Sequence, residues 1–142
     1  MPINLKKTKV NMINHFTWNE FDKSVEQIAN KCKFMDFSGV YGVPRGGLCL
    51  AVALSHKLKI NLISEPMKNS LIVDDVYETG VTLNSHKDIE GAMFFVLFSK
   101  ISPTWWNSVH ISEKSDWIVF PWENTLNLQN DRKDYIKKRG LR

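Results

Sequence analysis

Cysteine is scarce in this chain: there are only two, Cys32 and Cys49, which rules out a disulfide scaffold. Each falls in a mainly apolar helical pattern, the setting of a buried, reduced thiol in a cytoplasmic protein. Long apolar runs are missing as well. The longest, residues 92–98, has seven residues, far short of the ~20 a membrane-spanning helix needs. It reads as a buried strand, and no membrane partner is expected. Lysines occur in residues 1–10, but no apolar core follows them, so no secretory leader is expected. Internal repeats, low-complexity tracts and linkers are absent, which leaves residues 1–142 as a single domain. His15, His56, His86 and His110 are scattered without metal-ligand spacing, and no convincing nucleophile for covalent catalysis stands out.

What is present suits a globular domain. The 142 residues are 43% hydrophobic and 24% charged, enough to bury a core. The formal net charge is +4. Much of the excess lies at the ends: Lys6, Lys7 and Lys9, then Arg132, Lys133, Lys137, Lys138, Arg139 and Arg142. A basic chain suits a phosphorylated small molecule or nucleic acid. Charge runs at chain ends are usually solvated, so nucleic acid is not the expected partner.

Residues 1–15 read as a loose lead-in and 124–142 as a polar tail, with 131–138 a short polar helix or disordered. Thr17 and Glu20 fit a capping box, with Phe16 and Phe21 placed as a hydrophobic staple. Trp18, Phe21, Val25, Ile28 and Cys32 follow at spacings of three and four, predicting a helix over 18–33. Residues 38–43 read as a buried strand, broken by Pro44-Arg45-Gly46-Gly47. A helix over 48–58, apolar almost all round, should be well buried. Short strands are expected at 60–64, 71–73 and 92–98, a helix start at 82–87, and further extended pieces at 110–111 and 117–120. The alternation predicts an α/β domain with a mainly parallel central sheet flanked by helices. Ligands then bind beyond the carboxyl ends of the strands, the edge where loops 44–47 and 76–82 emerge.

Residues 71–83 carry the clearest chemistry: Leu-Ile-Val-Asp-Asp-Val-Tyr-Glu-Thr-Gly-Val-Thr-Leu. An apolar strand delivers Asp74 and Asp75 together, although neighbouring carboxylates repel and resist burial. Such a pair can accept hydrogen bonds from vicinal sugar hydroxyls or hold a hard cation. The loop that follows, with Thr79, Gly80, Val81 and Thr82, offers backbone N–H groups and hydroxyls at a helix start, a cradle for a phosphate dianion. Taken singly, the aspartates cap a turn and the threonines a helix. The ordered set asks for more.

This segment resembles the thirteen-residue phosphoribosyl-pyrophosphate signature of type I phosphoribosyltransferases, with Glu78 where many members have Asp. The resemblance implies that family's fold, with Asp74 and Asp75 on the ribose hydroxyls and Glu78, Thr79, Gly80, Val81 and Thr82 around the 5′-phosphate. Pro44, Arg45, Gly46 and Gly47, read alone a turn, resemble the family's pyrophosphate loop. Arg45 would pair with phosphate oxygens and the Pro44–Arg45 bond would be cis. Lys100 and the stretch 116–123 resemble the xanthine–guanine branch. Lys100 would contact a purine 6-oxygen, Trp117 would stack on the ring, and the backbone near Ile118 and Glu123 would sense the 2-position. Otherwise Lys100 is a surface lysine and Trp117 a core aromatic; Trp105 and Trp106 carry no motif and suit a core or an interface between copies, since family members commonly associate.

The activity so implied is transfer of a phosphoribosyl group from 5-phosphoribosyl 1-pyrophosphate to guanine, xanthine or hypoxanthine, with Mg²⁺ as cofactor and Asp75 a weak metal contact. Glu78, Asp74, Asp75 and Arg45 would be catalytic. One departure is evident. Only residues 65–70 separate the strands between which the family carries a long flexible hood, so this loop is much shortened. A non-catalytic nucleotide- or donor-binding regulator on the same fold is the alternative.

Overall fold

In the computed structural model, which describes residues 13–123, helix α1 (Trp18–Cys32) begins where the capping pattern places it. Thr17 Oγ1 accepts the Glu20 N–H at 3.1 Å, and the Thr17 hydroxyl donates to Glu20 Oε1. Its buried face is Phe21, Ser24, Val25, Ile28, Ala29 and Cys32. Trp18, expected on that face, is largely exposed; at the first helical position it sits at the rim, edge-on to Phe21.

The chain ahead of α1 corrects the expectation of a lead-in. Ile13–His15 forms strand β1, parallel to β6 (Trp117–Val119) in a separate two-stranded sheet. All three β1 side chains are exposed, so no hydrophobic alternation marks the strand. Backbone pairing alone makes it, and Phe16 N–H extends it to the Val119 carbonyl. The expected polar tail 124–142, the short helix within it and the lysines at 6–9 lie outside the described residues.

The main sheet has the order β2-β3-β4-β5, all parallel: β2 (Val40–Gly42), β3 (Leu71–Tyr77), β4 (Met93–Ser99) and β5 (Asn107–Ile111). Parallel strands need crossovers, and α2 (Leu48–Leu58) with the segment to residue 70 supplies the first. Residues 60–64, read as a strand, make only a bridge at Val40–Leu62. The chain leaves α2 through left-handed Lys59 and bends again at Ser64 and Glu65, so the pairing stays a single bridge. Strand β3 runs four residues past its expected end at Val73, so both aspartates lie inside it. The helix expected at 82–87 is the shorter α3 (Val81–Asn84), followed by turns.

Two apolar clusters fix these elements. One face of the sheet packs Leu71, Val73, Val76, Phe95 and Leu97 against α1 and α2. The other packs Ile72, Tyr77, Phe94 and Val96 with Leu83, Trp105 and Trp106. Helix α2 is less buried than its composition suggests: Leu50, Ala51 and Leu54 are enclosed, whereas Leu48 and Val52 are each 42% exposed. A helix resting on one sheet buries one stripe, whatever the rest of its surface carries.

Because β2, β3 and β4 are parallel, their carboxyl ends meet at one edge. The connection 65–70 lies at the other. Ser38, ahead of β2, binds the Lys68 and Asn69 carbonyls, and Asn69 N–H binds the Glu90 carbonyl ahead of β4. The shortened loop is therefore tied to the amino edge and does not reach the strand ends.

Candidate active site

Strand β3 changes character at its aspartates. Val73 and Val76 enter the same core cluster although three residues apart, so the two-residue alternation of a strand is interrupted between them. Asp74 and Asp75 occupy that interruption, and both are buried. Each carboxylate uses one oxygen to hold the next backbone amide: Asp74 Oδ1 accepts Asp75 N–H at 2.8 Å and Asp75 Oδ1 accepts Val76 N–H at 2.7 Å. These bonds offset part of the cost of burying charge and fix the orientation of both groups.

The loop after β2 closes on Asp75. A side chain at Gly46 would collide with the Asp75 carboxylate, and one at Gly47 with the Val73 carbonyl. Only residues without a Cβ let this backbone pass so close. The Pro44–Arg45 peptide bond is cis, as the family resemblance implies. Pro44 and Arg45 are exposed, and Arg45 forms no ion pair with the described residues. An exposed arginine thus sits in the loop whose next residue, Gly46, touches the Asp75 carboxylate, and a guanidinium there can pair with an anionic ligand.

The loop after β3 contains Glu78, Thr79, Gly80, Val81 and Thr82. Gly80 has φ 78°, the left-handed region, and caps α3; a Cβ there would strike the Tyr77 hydroxyl. Thr79 is exposed, with its Oγ1 at 3.5 Å from Val81 N. The first turn of a helix leaves its N–H groups without intrahelical acceptors, and this loop leaves the same sheet edge as loop 44–47.

Glu78 is different. Its side chain is 3% exposed, and Oε1 pairs at 2.5 Å with Lys100 Nζ, itself 6% exposed. Lys100 follows β4, and its ammonium also donates to the Asp116 carbonyl at 2.5 Å and, more distantly, to Lys114 O. The extra methylene of Glu over Asp helps the carboxylate cross to the neighbouring strand. Glu78 Oε2 is buried without a hydrogen-bond partner among the described residues, an acceptor that a ligand N–H could satisfy. Lys100 is therefore no surface lysine.

The structure thus draws Pro44–Gly47 to Asp75, and Glu78 to Lys100 and the residue before Trp117. Trp117 starts β6 and is only 7% exposed, so its indole presents little free face. The Ile118 side chain belongs to the core. Glu123 lies past the other end of β6, in a turn where its Oε1 accepts Phe120 N–H at 3.3 Å.

Two features escaped the sequence. One is the Glu78–Lys100 pair, for which the available signal was an acid and a lysine following adjacent parallel strands. The other is a stack of Tyr77 on Trp106, with centroids 3.7 Å apart and planes 14° apart, which no spacing announces. Burial also raises the Tyr77 pKa, so its hydroxyl stays a donor at neutral pH. Cys32 is pushed up to about 11 by burial despite nearby Lys31, and Cys49 is raised for the same reason, which lowers the thiolate share of both. Among the described residues, no group of three or more His, Cys, Asp or Glu side chains is placed to hold a metal ion, and no helix is long and apolar enough to cross a membrane.

No protein-family profile matches the chain, and no curated protein does. Solved structures do. The chain is similar to the purine phosphoribosyltransferase of Pyrococcus horikoshii, with 29% identity and a TM-score of 0.67 over 79% of this chain and 94% of that one. It is similar to the xanthine–guanine–hypoxanthine phosphoribosyltransferase of Helicobacter pylori at 22% identity and a TM-score of 0.61, covering 85% and 99% of the two chains. A hypothetical protein of Neisseria gonorrhoeae, solved with bound ppGpp, aligns at 16% identity and a TM-score of 0.65, covering 87% and 96%. The α/β fold is that of the type I phosphoribosyltransferases.

Proposed function

We propose that this chain is a phosphoribosyltransferase that joins the 5-phosphoribosyl group to a 6-oxopurine base, releasing pyrophosphate, as in purine salvage. The observation that carries the reading is the closure of loop 44–47 on Asp75, with a cis bond at Pro44–Arg45. An arginine-bearing loop against a buried carboxylate supports a ligand that carries a pyrophosphate next to a ribose. Solved neighbours name phosphoribosyltransferases of purine, adenine and orotate, which supports the reaction class more strongly than the base.

In this reading Asp74 and Asp75 hold the ribose hydroxyls and face the positive charge that grows on the sugar ring as the bond to pyrophosphate breaks. The loop 78–82 holds the 5′-phosphate. Arg45 holds the leaving pyrophosphate. Glu78 Oε2 accepts the N–H of the purine imidazole edge and takes its proton as the new bond forms. Lys100 favours a 6-oxo group over an amine, because an ammonium only donates. It has three N–H groups and three acceptors, Glu78 Oε1 and the carbonyls of Asp116 and Lys114, so a base would share or displace the Asp116 or Lys114 carbonyl. Trp117 as the stacking aromatic requires that its buried indole be uncovered. The backbone near Ile118 and Glu123 would sense the purine 2-position.

Mg²⁺ fits if the substrate supplies most of its ligands. The described residues build no metal cage, and Asp75, beside the pyrophosphate loop, is the side chain that would hold it. Bound there, the ion offsets the charge of the leaving group.

The test is to mix protein, Mg²⁺ and 5-phosphoribosyl 1-pyrophosphate with each purine base and assay nucleotide and pyrophosphate. Product with hypoxanthine or guanine, and much less with adenine, is expected. No product with any base would favour a second reading, a nucleotide-binding regulator without catalysis. The connection 65–70 speaks for that reading, since it is tied to the amino edge and cannot shield the site from water.

A further inference from the structure

We infer that Trp106 and Tyr77 are positioning residues that brace the phosphate-binding loop 78–82, a role that rests on the reading of that loop given above. Tyr77 ends β3 and immediately precedes the loop. Its ring is clamped from below by Trp106, parallel at 3.7 Å, and from the side by Trp105, edge-on at 6.1 Å. Trp106 is 5% exposed and is itself pinned: its Nε1 donates to Ser99 Oγ at 3.1 Å. Ser99 is the register partner of Tyr77 across the β3–β4 ladder, and its hydroxyl donates on to the Ile101 carbonyl. Lys87 lies over the Trp105 ring and closes the outer side.

The free end of this stack reaches the loop. The Tyr77 hydroxyl lies against Gly80, leaving no space for a Cβ there, and donates to Asn84 Oδ1 at 3.4 Å. Gly80 caps the start of α3 and Asn84 ends it, so one phenol touches both ends of the turn. The backbone of this loop is short, glycine-containing and partly exposed, which by itself would leave it soft. A buried aromatic stack has few rotamers and makes a rigid base for it. The same brace ties the two halves of the site, since Lys100 N–H donates to the Tyr77 carbonyl.

The consequence is a split between ligands. In that reading a purine nucleoside 5′-monophosphate places its phosphate on loop 78–82, whereas Mg²⁺-pyrophosphate uses loop 44–47, which follows a different strand. In calorimetric titration, Trp106→Leu should weaken binding of guanosine monophosphate about tenfold while leaving Mg²⁺-pyrophosphate within about twofold, the range one aromatic pair corresponds to. Tyr77→Phe, which removes only the hydroxyl, should cost about threefold on the same side. Should Trp106→Leu fail to fold, Trp106→Phe with Tyr77→Phe carries the comparison. An equal loss for both ligands, or none for either, overturns the brace. Amide exchange supplies the independent readout: N–H groups 79–82 should exchange about tenfold faster in the tryptophan variant than in the unaltered chain, with α1 unchanged. If the unaltered chain binds no guanosine monophosphate, the proposed function fails, and the exchange data alone decide the brace: unchanged exchange at 79–82 overturns it.

Discussion

In the proposed reading, the side of the site that takes the donor and the side that takes the acceptor are built from different materials. On the donor side the main chain does the shaping: Gly46 and Gly47 slide past Asp75 and Val73, Gly80 turns loop 78–82, and the aspartates hold backbone amides. On the acceptor side, side chains from separate strands meet, with Glu78 and Lys100 joined under the carbonyl of Asp116. A surface of backbone can be damaged without loosening the core. A buried ion pair cannot.

The largest expected effect breaks the acceptor side. Lys100→Met removes the partner of a carboxylate that is nearly fully enclosed, and should cost about 3–5 kcal/mol of stability in urea unfolding. Adding Glu78→Gln should recover much of that loss. A Lys100→Met protein as stable as its parent would show that the pair is not closed in solution. Next comes the carboxylate pair. Asp74→Asn with Asp75→Asn keeps an acceptor for each backbone amide and so keeps the fold, yet should lower turnover by about 10²–10³-fold. Activity within tenfold of the parent would remove the aspartates from the mechanism.

Gly46→Ala probes the same contact with a single methyl. It displaces the loop from the Asp75 carboxylate and should lower kcat/KM about 10²-fold, as expected for a displacement near 1 Å, with little change in the unfolding midpoint. If the midpoint falls and activity holds, the donor side is structural after all. The smallest effect lies outside both. His110, stacked on Phe98, gives its Nε2–H to Ser24 Oγ at 3.2 Å, and the Ser24 hydroxyl in turn donates to Glu20 O. Burial lowers its pKa from the ordinary 6.5, and nearby Glu20 only partly opposes this. The unfolded chain therefore binds this proton more readily. Stability should be flat in pH above about 6.5, fall as pH drops through that value, and level off below the folded pKa. His110→Gln should flatten that component in melts taken from pH 8 to pH 5.

The contrast also explains what was legible beforehand. Glycines, adjacent acids and a proline specify backbone shape locally, so loops 44–47 and 78–82 could be read from neighbours in the chain. The capping of α1 by Thr17 and the extent of α2 were local in the same way. The Tyr77–Trp106 stack joins residues on different strands and has no periodic signature. Strand β1 has three exposed side chains and exists through a partner more than a hundred residues away. Residues 60–64 carry a strand's composition but lie between the turn at Lys59 and the bend at Ser64 and Glu65, and pair only at Leu62. The burial of Trp117 follows from tertiary packing, and it is the point at which the carried-over role of a residue and its surroundings pull apart most.

The direct trial of the central claim is a crystal structure with a purine nucleoside 5′-monophosphate. The phosphate should lie on the amides of residues 79–82, with the ribose hydroxyls on Asp74 and Asp75 and the base toward Glu78 and Lys100. A well-ordered nucleotide bound elsewhere, with those carboxylates still turned to their own backbone and loop 78–82 empty, would contradict it.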